Sequence, residues 1–164
     1  MADAKAFIKL SKVHEWLDEL FLGHQTALLS LDLSEARRCL DFYEANLRLH
    51  IKDEEELLIP TYGARASDIP GGAVEFFTGE HKKILGFLAE FHKMLTPLRN
   101  QKTLRLKHAI IRLLDREAMY KGLLGHHHAR EHNVLYPWLD WLTSEAEREK
   151  LLAQCSSLKA YTNR

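Results

Sequence analysis

The chain has 164 residues, and because a domain contains roughly 150 residues, it is expected to fold as a single domain. Positive and negative side chains balance at 23 each, so the charge excludes the basic surface of a nucleic-acid-binding protein and gives no attraction to a membrane surface. Ten histidines exceed an ordinary share, while only eight glycines and four prolines favour long helices over an all-β fold.

The first half of the chain is predicted to contain two long helices. Residues 4–29 form the first, because apolar positions recur at steps of three, four and seven and include His14. Ser34 is the predicted N-cap of the second helix, which runs to about Leu58 before Pro60 interrupts the pattern. A short helical extension is expected to follow over residues 62–66.

The third helix follows the strongest loop signal in the sequence. Residues 67–72, SDIPGG, combine the residues that favour turns and are predicted to form a loop. A helix is then expected from about 73 to 95, because its apolar positions follow helical spacing. His81 lies within that apolar stripe.

The last third of the chain is predicted to hold a very long helix and a short one. The long helix begins near 101–104 and ends near Leu135, with Gly122 and Gly125 as positions where it would bend. Ser144 and Glu147 have capping-box spacing and open a final amphipathic helix that ends near 161.

Four long helices joined by short loops predict an all-α fold, an up-down-up-down four-helix bundle with an extra C-terminal helix. The predicted division is a metal-binding bundle over residues 1–140 and a helix over residues 141–164 that packs on it. The extra helix carries an apolar stripe that includes Leu151, Leu152 and Leu158.

The remaining sequence signals predict a soluble cytoplasmic protein. Cys39 and Cys155 are far apart and form no CxxC pair, which favours a reduced chain over a disulfide framework. The first residues lack the basic and apolar regions of a signal peptide, and no run of 18 apolar residues could span a bilayer.

The second and fourth helices contain matching segments. In each, a histidine precedes a glutamate by four residues, and a proline follows that glutamate by six. The segments are HIKDEEELLIP, which begins at His50, and HHAREHNVLYP, which begins at His127. Because the first and third helices each add one histidine within an apolar stripe, the chain is interpreted as two copies of a helix hairpin.

This order of residue types predicts a metal site with two ions. Residues i and i+4 lie on one helix face, about 6 Å apart along the axis, so a histidine and a glutamate so placed can bind the same cation. Four imidazoles and two carboxylates exceed what a tetrahedral zinc ion needs, and a carboxylate can bridge two ions. These ligand types suit iron, manganese or zinc. Without a metal, burying the carboxylates would be costly. The predicted ligands are His14, His50, Glu54, His81, His127 and Glu131.

Each signal taken alone has a simpler explanation. A single histidine on an apolar helix face is usually a hydrogen-bonded core residue, and one HxxxE pair arises easily by chance. The combination of two HxxxE segments with one inward histidine on each alternate helix favours the metal site. His92 lies roughly 16 Å along the helix from His81, too far for the same ion.

The three consecutive histidines His126, His127 and His128 leave an ambiguity. Only one of three neighbouring helical residues can point to the centre of a bundle. His127 is preferred because it precedes Glu131 by four, but His128 and His132 form a rival pair with the same spacing.

The chain resembles the hemerythrin-like (HHE cation-binding) domain family over about residues 5–140. The resemblance implies a four-helix bundle that holds two non-haem iron ions bridged by the two carboxylates, with manganese or zinc as alternative ions. It also implies a small ligand such as O2, another diatomic molecule or a peroxide, which the protein would bind, sense or reduce. The residues that carry the resemblance are His14 in VHEWLDEL, His50 and Glu54 in HIKDEEELLIP, His81 in EHKKIL, and His127 and Glu131 in HHHAREHNVLYP.

The pattern departs from the oxygen-carrying hemerythrins at two points. Those proteins have HxxxH on the third helix, whereas the positions four residues before and after His81 are Phe77 and Leu85. They place the last carboxylate five residues after its histidine, whereas His132 occupies that position here. One imidazole fewer favours a role in response to iron, oxygen or redox state over reversible O2 carriage. Tyr43 or Tyr120 is a candidate hydrogen-bond donor near the site.

Two other classes of function remain open at the level of sequence. The metal could staple the helices of an interaction or regulatory module, whose C-terminal helix would bind a partner or a second copy to form a homodimer. Docking of that helix on its own bundle is the favoured explanation of its leucines. The same centre could also serve a di-iron oxidoreductase, such as a peroxide or nitric oxide reductase.

Overall fold

A computed structural model describes residues 6–66 and 68–164, and every regular element in these two ranges is helical. The prediction of an all-α fold is confirmed. Residues 4 and 5 of the predicted first helix, and Ser67 of the predicted loop, lie outside the described residues.

The helices follow the order expected from the sequence. Their bounds are α1 (Ser11–Leu29), α2 (Leu33–Asp53), α3 (Ile59–Gly63), α4 (Val74–Leu95), α5 (Thr103–Arg130), α6 (Tyr136–Leu142), α7 (Glu145–Gln154) and α8 (Ser156–Thr162). Short 3-10 segments occupy Phe7–Leu10 and Thr96–Asn100, and π-helical segments occupy Glu54–Leu58 and Glu131–Leu135.

The four long helices contact one another around a shared core. α1 packs on α2, α2 on α4, α4 on α5 and α5 on α1. Their apolar faces contribute side chains that are fully or almost fully buried, because removing this apolar surface from water is the main force for folding. These include Leu17, Phe21, Leu40, Tyr43, Ile84, Leu88, Phe91, Leu113 and Tyr120.

Several predicted details of the helices differ in the structure. Asp32, not Ser34, caps α2, because its carboxylate accepts the backbone N–H of Glu35 at 2.9 Å. α5 runs without interruption through Gly122 and Gly125. The predicted final helix is two helices, since Cys155 between them has an extended backbone with ψ of 113°.

The capping box that opens α7 is present as predicted. The hydroxyl of Ser144 accepts the backbone N–H of Glu147, and the carboxylate of Glu147 accepts the backbone N–H of Ser144. This pair satisfies two donors that the first turn of a helix leaves free.

The C-terminal helices pack on the rest of the chain. Leu151, Leu152 and Leu158 are partly buried against the main core, and α8 contacts both α1 and α2. The leucines of this segment are therefore partly shielded from water by the rest of the chain.

Asp53, at the end of α2, anchors α8. Its buried carboxylate accepts the backbone N–H groups of Ser156 at 2.9 Å and Ser157 at 2.7 Å, and the hydroxyl of Ser157 at 2.6 Å. The first turn of α8 is thereby held beside the end of α2, one residue before Glu54.

None of the described helices combines the length and the apolar composition that crossing a membrane requires.

The substitution Asp53→Ala is expected to lower the free energy of unfolding by about 1–3 kcal/mol, because buried donors lose their acceptor. Urea denaturation of the metal-free protein measures this change. Ser157→Ala removes only the hydroxyl bond and is expected to cost less. An Asp53→Ala variant that unfolds at the same urea concentration as the wild type contradicts this anchoring role.

Candidate metal centre

The core contains two pairs of histidines, and the two rings of each pair contact each other. Each pair comes from one predicted hairpin. In the first pair, His14 on α1 and His50 on α2 bring their Nε2 atoms to 2.7 Å. In the second, His81 on α4 and His127 on α5 bring theirs to 3.2 Å. The ring centroids are 4.7 Å apart in both pairs, at interplanar angles of 78° and 76°. The two halves of the sequence repeat therefore hold their histidine pairs in the same relative orientation.

Two carboxylates connect the histidine pairs. Glu54 places Oε1 3.4 Å from Nε2 of His50 and Oε2 3.1 Å from Nε2 of His81. Glu131 places Oε1 2.7 Å from Nε2 of His127 and Oε2 3.3 Å from Nε2 of His14. Each carboxylate therefore reaches one imidazole of the first pair and one imidazole of the second.

Both carboxylates begin a wide turn of helix that precedes a proline. The backbone N–H of Ile59 bonds the carbonyl of Glu54, and that of Tyr136 bonds the carbonyl of Glu131, which is π-helical spacing. A proline follows at once in each case. Because its ring lacks an N–H and clashes with the carbonyl four residues earlier, the helix widens before it. The repeated proline in the sequence marks this repeated turn.

The six side chains could hold metal ions. The side chains form two groups of four residues, and both glutamates belong to each group. Within each group, one ligand atom from every residue lies within 4.8 Å of the others. Both oxygens of Glu131 are buried beside imidazole nitrogens of His127 and His14 but make no well-aligned hydrogen bond, and a cation between the side chains would satisfy them. Each group offers two imidazoles and two carboxylates, which are donor types that bind metal ions in proteins. The groups are His14, His50, Glu54 and Glu131, and Glu54, His81, His127 and Glu131.

The electrostatics of the site favour a cation. Burial, together with the negative charge of Glu54, raises the pKa of Glu131 to about 8. Burial by itself would lower the pKa of His127, but the charge of Glu131 and the hydrogen bond to Glu80 raise it to about 10. The metal-free pair therefore retains a proton between Glu131 and His127, which a bound cation would displace.

A second layer of polar groups surrounds part of the centre. Nδ1 of His81 lies 2.9 Å from Glu55, and Nδ1 of His127 lies 3.0 Å from Glu80, which Arg130 in turn contacts. Sequence reasoning did not identify Glu80, although it directly precedes His81. Carboxylates in such positions orient a metal-ligating imidazole and raise its basicity.

The tyrosine beside the centre is Tyr136, which sequence reasoning did not identify. Its buried hydroxyl lies 3.2 Å from Nε2 of His14 and 3.3 Å from Oε1 of Glu54. The expectation for Tyr43 and Tyr120 was wrong, because their hydroxyls bond each other at 2.6 Å elsewhere in the core. The available signal was the position of Tyr136 five residues after Glu131, which is the spacing of a π-turn.

The histidines outside the six predicted ligands have other environments. His132 is exposed, and His128 is partly buried with its ring stacked on that of His14 at 3.9 Å, so the rival pair does not meet in the core. His92 contacts Glu44 at 2.6 Å. His24 is fully buried between the carbonyl of Ala36 and the carboxylate of Glu117, as a hydrogen-bonded core histidine would be.

Comparison of the chain with family models, with curated proteins and with solved structures gives no match. The structure brings the six predicted side chains together, and their role as metal ligands stays a prediction that rests on this geometry.

The substitution His81→Ala is expected to reduce the stabilisation that metal ions give, because one imidazole of the second group is lost. An ion at about 100 times its dissociation constant stabilises a folded protein by about 2.7 kcal/mol. Thermal unfolding with and without Zn²⁺ measures this difference. His92→Ala, on the same helix, is the control and is expected to respond to Zn²⁺ as the wild type does. Equal responses of both variants contradict the assignment.

Proposed function

We propose that this chain is a hemerythrin-like protein in which α1, α2, α4 and α5 form an antiparallel four-helix bundle around two non-haem iron ions. The centre binds or senses O2 or a related oxygen or nitric oxide species. The observation that carries this proposal is the position of Glu54 and Glu131, because each carboxylate spans both histidine pairs. A single ion would be bound by one histidine pair, so it would not require two carboxylates that each contact both histidine pairs.

The set of donors supports ions that keep open positions. Each ion would have two imidazoles and two shared carboxylate oxygens, fewer than the six ligands typical of octahedral iron. The positions four residues before and after His81, where an oxygen-carrying hemerythrin would have a further histidine, are Phe77 and Leu85, and Phe77 is fully buried and packs on Tyr62. The vacant ligand position favours reaction with, or detection of, a small molecule over reversible carriage.

The residues of the chain have distinct tasks in this proposal. Two ferrous ions, when bound, supply the electrons that reduce an oxygen species. His14, His50, His81 and His127 hold the ions, and the two carboxylates neutralise part of their charge. The surrounding apolar core excludes bulk water, which strengthens these electrostatic contacts.

Tyr136 adds a proton donor to this arrangement. Its hydroxyl donates to Oε1 of Glu54 at 3.3 Å and therefore weakens that carboxylate as an electron donor. The same hydroxyl lies next to Nε2 of His14, so it faces the centre on the side of the first histidine pair.

The test of the proposal is to load the protein with Fe²⁺ without air and then admit air. Two iron ions per chain are expected, with new near-ultraviolet absorption from ferric iron after oxidation. Glu54→Ala is expected to lose both the bound iron and the new absorption. Glu56 is an exposed glutamate of the same wide turn, and Glu56→Ala is the control. A chain that stays colourless in air and prefers Zn²⁺, with ligand variants that only unfold, supports a structural metal in an interaction module instead.

The substitution Tyr136→Phe is expected to leave two iron ions per chain and to speed oxidation in air severalfold. Without its hydrogen bond, Glu54 becomes a stronger donor and favours ferric iron. Stopped-flow absorbance measures the rate. Tyr120→Phe removes a buried hydroxyl that bonds Tyr43 and is expected to keep the wild-type rate. An unchanged rate in Tyr136→Phe refutes this role of the phenol.

A further inference from the structure

We propose that the two ions are held unequally. The ion between His81 and His127 is retained, whereas the ion between His14 and His50 exchanges through a groove between α1 and α5. This inference rests on the proposed dinuclear centre, and it concerns a difference between two sites that the sequence repeat makes alike. Two independent features of the structure support it, the hydrogen bonds behind the imidazoles and the shape of the surface.

Both imidazoles of the second pair are fixed from behind. Nδ1 of His81 donates to Glu55 at 2.9 Å, and Nδ1 of His127 donates to Glu80 at 3.0 Å. Arg130 contacts Glu80 at 3.1 Å and also donates to the carbonyl of Gly71, so this carboxylate is itself held in place. Such outer partners fix the tautomer in which Nε2 faces the metal, and their loss typically costs 10–100-fold in metal affinity.

The first pair lacks an equivalent support. Nδ1 of His50 is buried and has no hydrogen-bond partner among the described residues. Nothing therefore fixes the proton on that nitrogen or strengthens Nε2 as a ligand. His14 is instead contacted on its ring face by His128, in a parallel stack at 3.9 Å and 3°. The first ion consequently has the weaker set of ligands.

A groove on the surface reaches His128, whose ring stacks on that of His14. It has a volume of about 400 Å³ and lies between α1 and α5. Asp18 and Glu19 contribute carboxylates to its walls against the single ammonium of Lys121, so its charge favours a cation. His128, which is partly exposed, both lines the groove and stacks on His14.

Gly125 lies on the wall of the groove. The glycine lines the groove on α5, and a Cβ added there would meet nothing within 4 Å. Gly122, one turn earlier on α5, also has free space around it but does not line the groove. The two glycines, which were expected to bend the helix, therefore form a matched pair for substitution, because only Gly125 lines the groove.

The test uses the full chain loaded with Co²⁺ and challenged with an excess of a chelator, and it follows the loss of visible absorption with time. The wild type is expected to bind two Co²⁺ per chain, to release one rapidly and to release the other slowly. A chain that binds fewer than two Co²⁺ contradicts the proposed dinuclear centre. A chain that binds two and releases them in one phase contradicts only the unequal retention.

Two matched pairs of variants assign the phases. Glu55→Gln is expected to weaken retention of the slow ion about tenfold and leave the fast phase unchanged, whereas Glu56→Gln should behave as the wild type. Gly125→Phe fills the groove and is expected to slow the fast phase severalfold, whereas Gly122→Phe should not. If Glu55→Gln alters only the fast phase, or if both phenylalanine variants release Co²⁺ at the wild-type rates, the inference is wrong.

Discussion

The burial of two glutamates in the middle of the core is the constraint on which the rest of the structure depends. Glu54 and Glu131 have no solvent-exposed surface, and a buried carboxylate is stable only beside groups that balance its charge. Four imidazoles surround them, and bound metal ions would complete the neutralisation. The helices must therefore meet at this level of the core, and the apolar layers on either side provide the free energy that holds them there.

The internal repeat explains how one chain builds such a centre. Each half provides a histidine from its first helix, a histidine from its second and a glutamate one turn later, at a turn widened by proline. The carboxylate of each half then reaches across to the histidines of the other. This exchange joins the halves, so that neither hairpin has a complete site without the other.

Residues outside the repeat make the two halves different. Glu55 and Glu80 support only the second histidine pair, while Tyr136 and His128 lie against the first. Another buried pair, His24 and Glu117, satisfies its own hydrogen bonds with Ala36 and Gln25 and belongs to the structural core. The buried ionisable groups of the described residues are therefore of two kinds. Some have their hydrogen-bond partners within the chain, whereas Glu131 keeps carboxylate oxygens without a well-aligned donor.

The sequence by itself determined the helical class, the order of the long helices and the six residues that meet in the core, because helical spacing and an internal repeat are local patterns. It did not reveal Tyr136, Glu80 or the stacking of His128 on His14, since these contacts join residues from different helices and depend on how the helices rotate against each other. The tertiary structure also decided that Gly125 lines a groove and Gly122 does not, because the space beside a helix depends on the neighbouring helix.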